Sequence, residues 1–162
     1  MNFGEEFEMG QQECEKNYII MEIEQDVKDN ILKKMANEMN RVGFVKSTYP
    51  QAICDREAIY PTGLPTKGAG VAIPHTDSIH VNKKAIAVGI LKKPVEFTVL
   101  GSDDELVDVE LIFMLAIINP NEQVQMLQRL IELCKDEESL IALKKNDNLD
   151  EVNKIVEKLL ED

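Results

Sequence analysis

Residues 70–76 read Gly-Val-Ala-Ile-Pro-His-Thr, and this stretch decides how the middle of the chain folds. The run Val71-Ala72-Ile73 is apolar and β-prone, which predicts a short buried strand. Pro74 has no amide hydrogen and therefore ends regular strand pairing. The predicted strand stops at the imidazole of His75, and strand ends are where the reactive groups of α/β proteins usually lie.

Upstream of this strand, the sequence predicts one strand and two helices. Residues 18–23 alternate weakly, as in a short strand, and apolar residues then recur at helical spacing over residues 27–42. A second helix is predicted to begin after Thr48, a capping residue, and to stop by Pro61. The glycine- and proline-rich segment 62–70 is predicted to be a loop that leads into the strand.

Downstream, the pattern changes from strands to helices. Residues 85–91 and 95–99 are β-rich, and the Lys-Lys-Pro between them predicts a hairpin. Residues 107–118 are apolar enough for a central strand. From residue 121 onward, apolar residues recur at intervals of three and four, which predicts helices. This order predicts an α/β fold in which a mixed β-sheet is sandwiched by helices on both faces.

Composition limits the class of protein. The chain has 162 residues, 44% of them apolar, which is enough for one core. We predict a loose acidic tail over residues 1–16 and a single domain over residues 17–162. The longest apolar run, residues 111–118, is too short to span a membrane, so we predict a cytoplasmic protein without direct membrane insertion. A net charge of −12 argues against nucleic acid as a partner.

His75 has two interpretations when the residues are considered alone. A histidine at a strand end is often a hydrogen-bonded structural residue. A neutral imidazole nitrogen can also attack phosphorus directly, and residues 76–78 would offer amides and hydroxyls to an anion. The local sequence leaves both interpretations open.

Three motifs resemble the active-site region of the enzyme IIA of sugar phosphotransferase systems, in the fructose/mannitol class. They are Arg56-Glu57, Thr62-Gly63-Leu64, and the run from Gly70 to His75 with its Ala-Ile-Pro-His core. The resemblance covers residues 18–162. It implies a type 2 enzyme IIA fold and a phosphotransferase without metal or other cofactor. It also implies that His75 is the phosphohistidine nucleophile.

The resemblance also implies the partners. His75 would accept phosphate from the histidine phosphocarrier protein and pass it to enzyme IIB, through which the membrane enzyme IIC would phosphorylate the sugar. The runs at residues 61–64 and 75–80 are most similar to the galactitol-specific branch. Two alternatives remain open, a regulatory, nitrogen-type enzyme IIA-like phosphoprotein and a non-catalytic interaction domain.

Matching positions imply phosphate-supporting residues. Arg56 would be the cation nearest the phosphorylated ring, unless it forms a surface ion pair with Glu57 or Asp55. Thr62 would donate its hydroxyl to the phosphate, although threonine before glycine is also ordinary turn chemistry. Gln123 stands where many members carry a second histidine. Its amide would donate to phosphate or orient the ring, unless it faces solvent on a helix.

His80 is the last predicted supporting residue. It would supply part of the missing imidazole function, or it would be a strand-start histidine with a satisfied hydrogen bond. Metal binding by the two histidines is not expected, because no third ligand lies at usable spacing. Asp77, two residues after His75, is expected to be a cap or an acceptor that orients the ring.

Overall fold

A five-stranded mixed sheet lies at the centre of the protein. The computed structural model describes residues 16–161, and the predicted tail, except for Lys16, lies outside the described residues. The strands are β1 (Tyr18–Ile23), β2 (Gly63–Leu64), β3 (Gly70–Ala72), β4 (Ala85–Thr98) and β5 (Leu106–Ala116). Their order in the sheet is β1-β4-β5-β3-β2. The β1–β4 and β3–β5 pairs are parallel, whereas the β4–β5 and β2–β3 pairs are antiparallel.

Helices cover both faces of this sheet, as predicted. They are α1 (Lys28–Arg41), α2 (Tyr49–Ile59), α3 (Pro120–Cys134), α4 (Glu137–Lys145) and α5 (Leu149–Leu159). Successive side chains of a strand point to opposite faces, so β4 contributes to two cores. Ala87 packs with the residues of α1 and α2, and its neighbour Val88 packs with those of α3, α4 and α5. Within residues 16–161, no helix is long and apolar enough to cross a membrane.

The predicted hairpin at Lys92-Lys93-Pro94 is wrong. These residues are exposed positions within the single long strand β4. The strand advances from Ile90 to Val95 while its partner β5 moves only from Leu111 to Val109, so the surplus residues form a bulge. A bulge accommodates proline because the local ladder is already interrupted.

The two ends of the sheet differ in character. Because β3 and β5 run parallel, their carboxyl ends lie at the same edge, and the Leu115 amide donates to the Pro74 carbonyl at 3.0 Å. This edge, called the His75 end below, also receives the start of α3, where the Asn119 side chain caps the Asn121 amide at 2.8 Å. The opposite end holds the turn between β4 and β5, residues 99–105, which includes the acidic run Asp-Asp-Glu.

Candidate functional site

The imidazole of His75 is fixed through one of its two nitrogens. The ring is half-buried just beyond the end of β3, and Nδ1 lies 2.8 Å from the carbonyl oxygen of Ile73. A carbonyl can only accept a hydrogen bond, so Nδ1 must carry the hydrogen. In the neutral ring, Nε2 then keeps its lone pair and is the nitrogen available to attack an electrophile.

A buried hydrogen-bonded chain lies behind Ile73. The Ile73 amide donates to Oγ1 of Thr62 at 3.1 Å. Thr62 in turn donates twice to the carboxylate of Glu57, from its hydroxyl to Oε1 and from its amide to Oε2, each at 2.8 Å. Burial raises the pKa of the Glu57 carboxyl, and the two bonds from Thr62 oppose that rise.

These contacts define the position of Thr62, which was predicted to donate a hydrogen bond to the phosphate. Its side chain is buried, its hydroxyl donates its one hydrogen to Glu57, and its hydroxyl oxygen accepts from the Ile73 amide. The hydroxyl therefore has no hydrogen left for a phosphate in this arrangement. Of the two sequence interpretations, the structural one agrees better with the contacts of Thr62.

Glu57 is the residue that sequence reasoning missed. The sequence offered it only as a surface partner for Arg56, yet it is 3% exposed and bonded to Thr62. The one available signal was Pro61, which ends α2 and folds the chain back so that Thr62 faces the last helical turn. Nothing in the local sequence distinguishes this carboxylate from its exposed neighbours on the same helix.

Arg56 is brought close to His75 from α2. Its Nη1 lies 4.0 Å from Oδ1 of Asp77, two residues after the histidine, and its guanidinium stacks over the Tyr60 ring at 4.4 Å. The ion-pair partner of Arg56 is therefore Asp77, and not Glu57 or Asp55 as the sequence suggested. The side chains of Arg56 and Asp77 are 41% and 72% exposed, so the pair is weak and the arginine is free to reorient.

His80 and Gln123 also lie at the His75 end. The hydrogen bonds described for them go to residues other than His75. His80 ends a short 3₁₀ turn, Ser78–His80, instead of starting a strand, and its Nδ1 lies 2.8 Å from the Thr48 hydroxyl. Thr48 occupies the N-cap position of α2, but its hydroxyl is used for this bond and not for the helix. Gln123 is half-buried in the first turn of α3, and its backbone amide donates to the Asn119 carbonyl at 3.1 Å.

The site is built for an anion held by protein groups. It combines a ring nitrogen with a free lone pair, a partly exposed arginine and a helix start at the same end of the sheet. Within the described residues, no group of three or more His, Cys, Asp or Glu side chains is placed to hold a metal ion. The chemistry that fits this arrangement is transfer of a phosphoryl group to and from an imidazole.

Comparison with known proteins identifies the family. The family model described as "Phosphoenolpyruvate-dependent sugar phosphotransferase system, EIIA 2" matches residues 13–159. The chain therefore belongs to this family, and it is a phosphoryl carrier of type 2, a phosphotransferase. The resemblance noted from the sequence is confirmed.

Individual relatives agree with this assignment. The galactitol-specific EIIA component of Escherichia coli K12 is 36% identical over 101 residues, which are 62% of this chain and 67% of that protein. The structure of IIA mannitol from Escherichia coli has a TM-score of 0.69 at 24% identity, covering 85% of this chain and 94% of that one. A complex of enzyme IIAMTL and phosphorylated enzyme IIBMTL from the same organism gives 0.70 at 23%, covering 86% and 94%. At these identities the solved structures establish the fold alone.

Proposed function

We propose that this chain carries a phosphoryl group on Nε2 of His75. It accepts the group from the histidine phosphocarrier protein and passes it to enzyme IIB, for the uptake of galactitol. The observation that carries the proposal is the 2.8 Å contact between Nδ1 and the Ile73 carbonyl, which leaves Nε2 as the nucleophile. Residues 17–162 form the single carrier domain.

The transfer step follows from this tautomer. The Nε2 lone pair attacks phosphorus while the bond from phosphorus to the donor's histidine nitrogen breaks, and the donor ring keeps that electron pair. The phosphorylated ring of His75 is cationic as long as Nδ1 keeps its hydrogen, and the Ile73 carbonyl stabilises it by accepting that hydrogen bond. When a thiolate of enzyme IIB attacks phosphorus, the ring leaves as a neutral imidazole.

Arg56 and Gln123 support the phosphoryl group in this proposal. Arg56 rotates from Asp77 onto the phosphoryl oxygens, because a doubly charged oxyanion outcompetes a single exposed carboxylate at 4.0 Å. Gln123, at the start of α3, donates its side-chain amide from the opposite side. His80 remains bonded to Thr48 and has a structural role.

The surface around the site supports docking of protein partners. Five large apolar side chains on segments that meet at the His75 end are 50% to 69% exposed: Ile59, Tyr60, Ile79, Ile118 and Val124. Exposed apolar side chains clustered around a reactive group are typical of a protein interface. They allow two different carriers to dock in turn over the same imidazole.

We infer galactitol as the sugar from the sequence relative described above, which is a galactitol-specific EIIA component. Nothing in the site contacts a sugar in this scheme, because enzyme IIB passes the group on and membrane enzyme IIC phosphorylates the sugar. The cytoplasm is the proposed location, since the phosphate of the family's relay comes from phosphoenolpyruvate, which is made inside the cell.

The experiment is a reconstituted relay followed by intact-mass measurement. Enzyme I, the histidine phosphocarrier protein and phosphoenolpyruvate are incubated with wild type, His75→Ala and His80→Ala, the last being a matched control at the only other histidine. We expect one phosphoryl group on wild type and on His80→Ala, and none on His75→Ala. The adduct should be lost in acid and kept in alkali, as a phosphoramidate is.

A second stage tests the partner. Phosphorylated wild type is mixed with galactitol enzyme IIB or, as a control, with mannitol enzyme IIB. Faster transfer to the galactitol protein supports the proposed sugar. Phosphorylation of His75 without transfer to either protein would favour a regulatory phosphoprotein, and no phosphorylation at all would favour an interaction domain.

A further inference from the structure

A buried carboxylate lies at the far end of a hydrogen-bonded chain that ends on His75. Glu57 and Thr62 are each 3% exposed. Thr62 joins Glu57 to Ile73, and Ile73 joins Thr62 to the histidine ring. Every contact in this chain is 3.1 Å or shorter, so all of them are within ordinary hydrogen-bond length.

The chemistry of the groups gives this chain a direction. The Ile73 amide can only donate, so the Thr62 hydroxyl oxygen accepts from it, and the hydroxyl hydrogen points at Oε1 of Glu57. The hydroxyl oxygen then has lone pairs, and no hydrogen, to offer to the Ile73 amide at 3.1 Å. The bonds from the Ile73 amide to Thr62 and from Thr62 to Glu57 share the Thr62 hydroxyl and polarise one another. The Ile73 carbonyl belongs to the next peptide group, so Thr62 acts on the histidine ring by fixing the position of Ile73.

We propose that Glu57 and Thr62 are positioning residues that hold Ile73 so that its carbonyl keeps His75 in the Nδ1–H tautomer. Neither residue touches the phosphoryl group. Their effect on phosphoryl transfer rests on the function proposed above, whereas their effect on the tautomer does not.

Ile73 is the residue that needs such support. It follows the last residue of β3, so its amide has left the regular ladder between β3 and β5. The amide is instead held by Thr62, and the next residue, Pro74, has no amide to anchor. The Ile73 amide also makes a longer contact, 3.4 Å, to the Thr62 carbonyl, and the Leu115 amide holds the Pro74 carbonyl at 3.0 Å. The Thr62 hydroxyl therefore accepts the shorter of the two bonds from the Ile73 amide.

The position of Glu57 on α2 also relates the two halves of the site. Glu57 faces inward to Thr62, while the preceding residue, Arg56, faces outward to Asp77. Adjacent residues of one helix therefore fix the ring from behind and supply the cation in front. A buried carboxylate is expensive to desolvate, and it is retained where its contacts are satisfied, as they are here.

The test compares tautomer and rate in Thr62 variants of the full chain. Thr62→Val removes the hydroxyl at nearly constant volume, and Thr62→Ser restores it. Thr66→Val is the matched control, because the Thr66 hydroxyl also binds a backbone amide, that of Ala69 at 3.1 Å, in the same loop. Long-range proton–nitrogen NMR of ¹⁵N-histidine-labelled protein reports which nitrogen of each ring is protonated, and His80 is an internal reference.

We expect wild-type His75 to be the Nδ1–H tautomer at neutral pH. In Thr62→Val, the Nε2–H form should become populated at His75 but not at His80, and phosphoryl uptake should slow roughly 10- to 100-fold. Thr62→Ser should recover both signals, and Thr66→Val should alter neither.

A wild-type tautomer and rate in folded Thr62→Val would overturn the proposal. An Nε2–H ring in the wild-type protein would overturn it as well, whether or not that variant folds. If the His75 ring of the wild type is the Nδ1–H tautomer but the protein takes up no phosphate, the proposed function is refuted. The proposal about the tautomer would not be affected by that result.

Discussion

Replacing Arg56 with alanine should slow phosphoryl transfer without weakening the fold. A charge-assisted hydrogen bond to phosphate contributes about 1.5 to 3 kcal/mol. From this, the contacts that the arginine gives up must be subtracted: the exposed pair with Asp77 at 4.0 Å and the stacking on Tyr60 at 4.4 Å, together up to about 1 kcal/mol. The remaining 0.5 to 2 kcal/mol, roughly, corresponds to a rate reduction of about 2- to 30-fold.

The assay is a rapid-quench measurement of phosphoryl transfer from the phosphorylated histidine phosphocarrier protein, with urea unfolding as the control for stability. Because the Arg56 side chain is 41% exposed and loses only those two contacts, the free energy of unfolding should change by no more than about 1 kcal/mol.

Asp77→Asn provides the opposite perturbation at the same pair. Removing the carboxylate releases the arginine, so transfer should become faster, by at most about fivefold. If Arg56→Ala transfers at the wild-type rate, or if Asp77→Asn is as slow as Arg56→Ala, then Arg56 does not act on the phosphoryl group and the reasoning fails.

Two further predictions concern the support of the site. Gly70→Ala should destabilise the protein by at least about 1 to 3 kcal/mol in urea unfolding, because a Cβ there would lie 1.8 Å from the backbone oxygen of Asp108 and would push β3 away from β5. Tyr49→Phe should cost about 1 to 2 kcal/mol and lower Tm by roughly 2 to 8 °C, because the fully buried hydroxyl donates to the Leu115 carbonyl at 2.6 Å.

Each of these predictions has a contradicting outcome. Wild-type stability of Gly70→Ala would mean that β3 and β5 are not as close as described, and the placement of His75 at the end of β3 would need revision. An unchanged Tm for Tyr49→Phe would mean that the Leu115 carbonyl finds another partner once the hydroxyl is gone.

The sequence predicted the elements whose side-chain period is long and regular. The apolar run before His75 reflects a strand that is fully buried, and the helical repeats of α1 and of the C-terminal third reflect burial of one helix face, which the local pattern records. The candidate nucleophile could be proposed because an imidazole at the end of a strand, in a specific motif, is visible in consecutive residues.

What failed depended on partners distant in sequence. Lys92-Lys93-Pro94 has the composition of a turn, but continued pairing of β4 with β5 overrides it and produces a bulge. The Thr48 hydroxyl was expected to cap a helix and instead meets His80, 32 residues away. The contacts of Glu57 depend on Thr62 lying between the last turn of α2 and the residue that follows β3, which no local pattern reports.

The length of β5 has an electrostatic consequence for a chain with a net charge of −12. The turn that carries Asp103, Asp104 and Glu105 precedes β5, whereas the His75 end lies beside Leu115. From Leu106 to Leu115 the strand covers about 30 Å at about 3.3 Å per residue. Since the Debye length is about 8 Å in physiological salt, those three carboxylates are screened from a phosphate on His75. An acidic protein can therefore hold a doubly charged group there without repulsion from that end of the molecule.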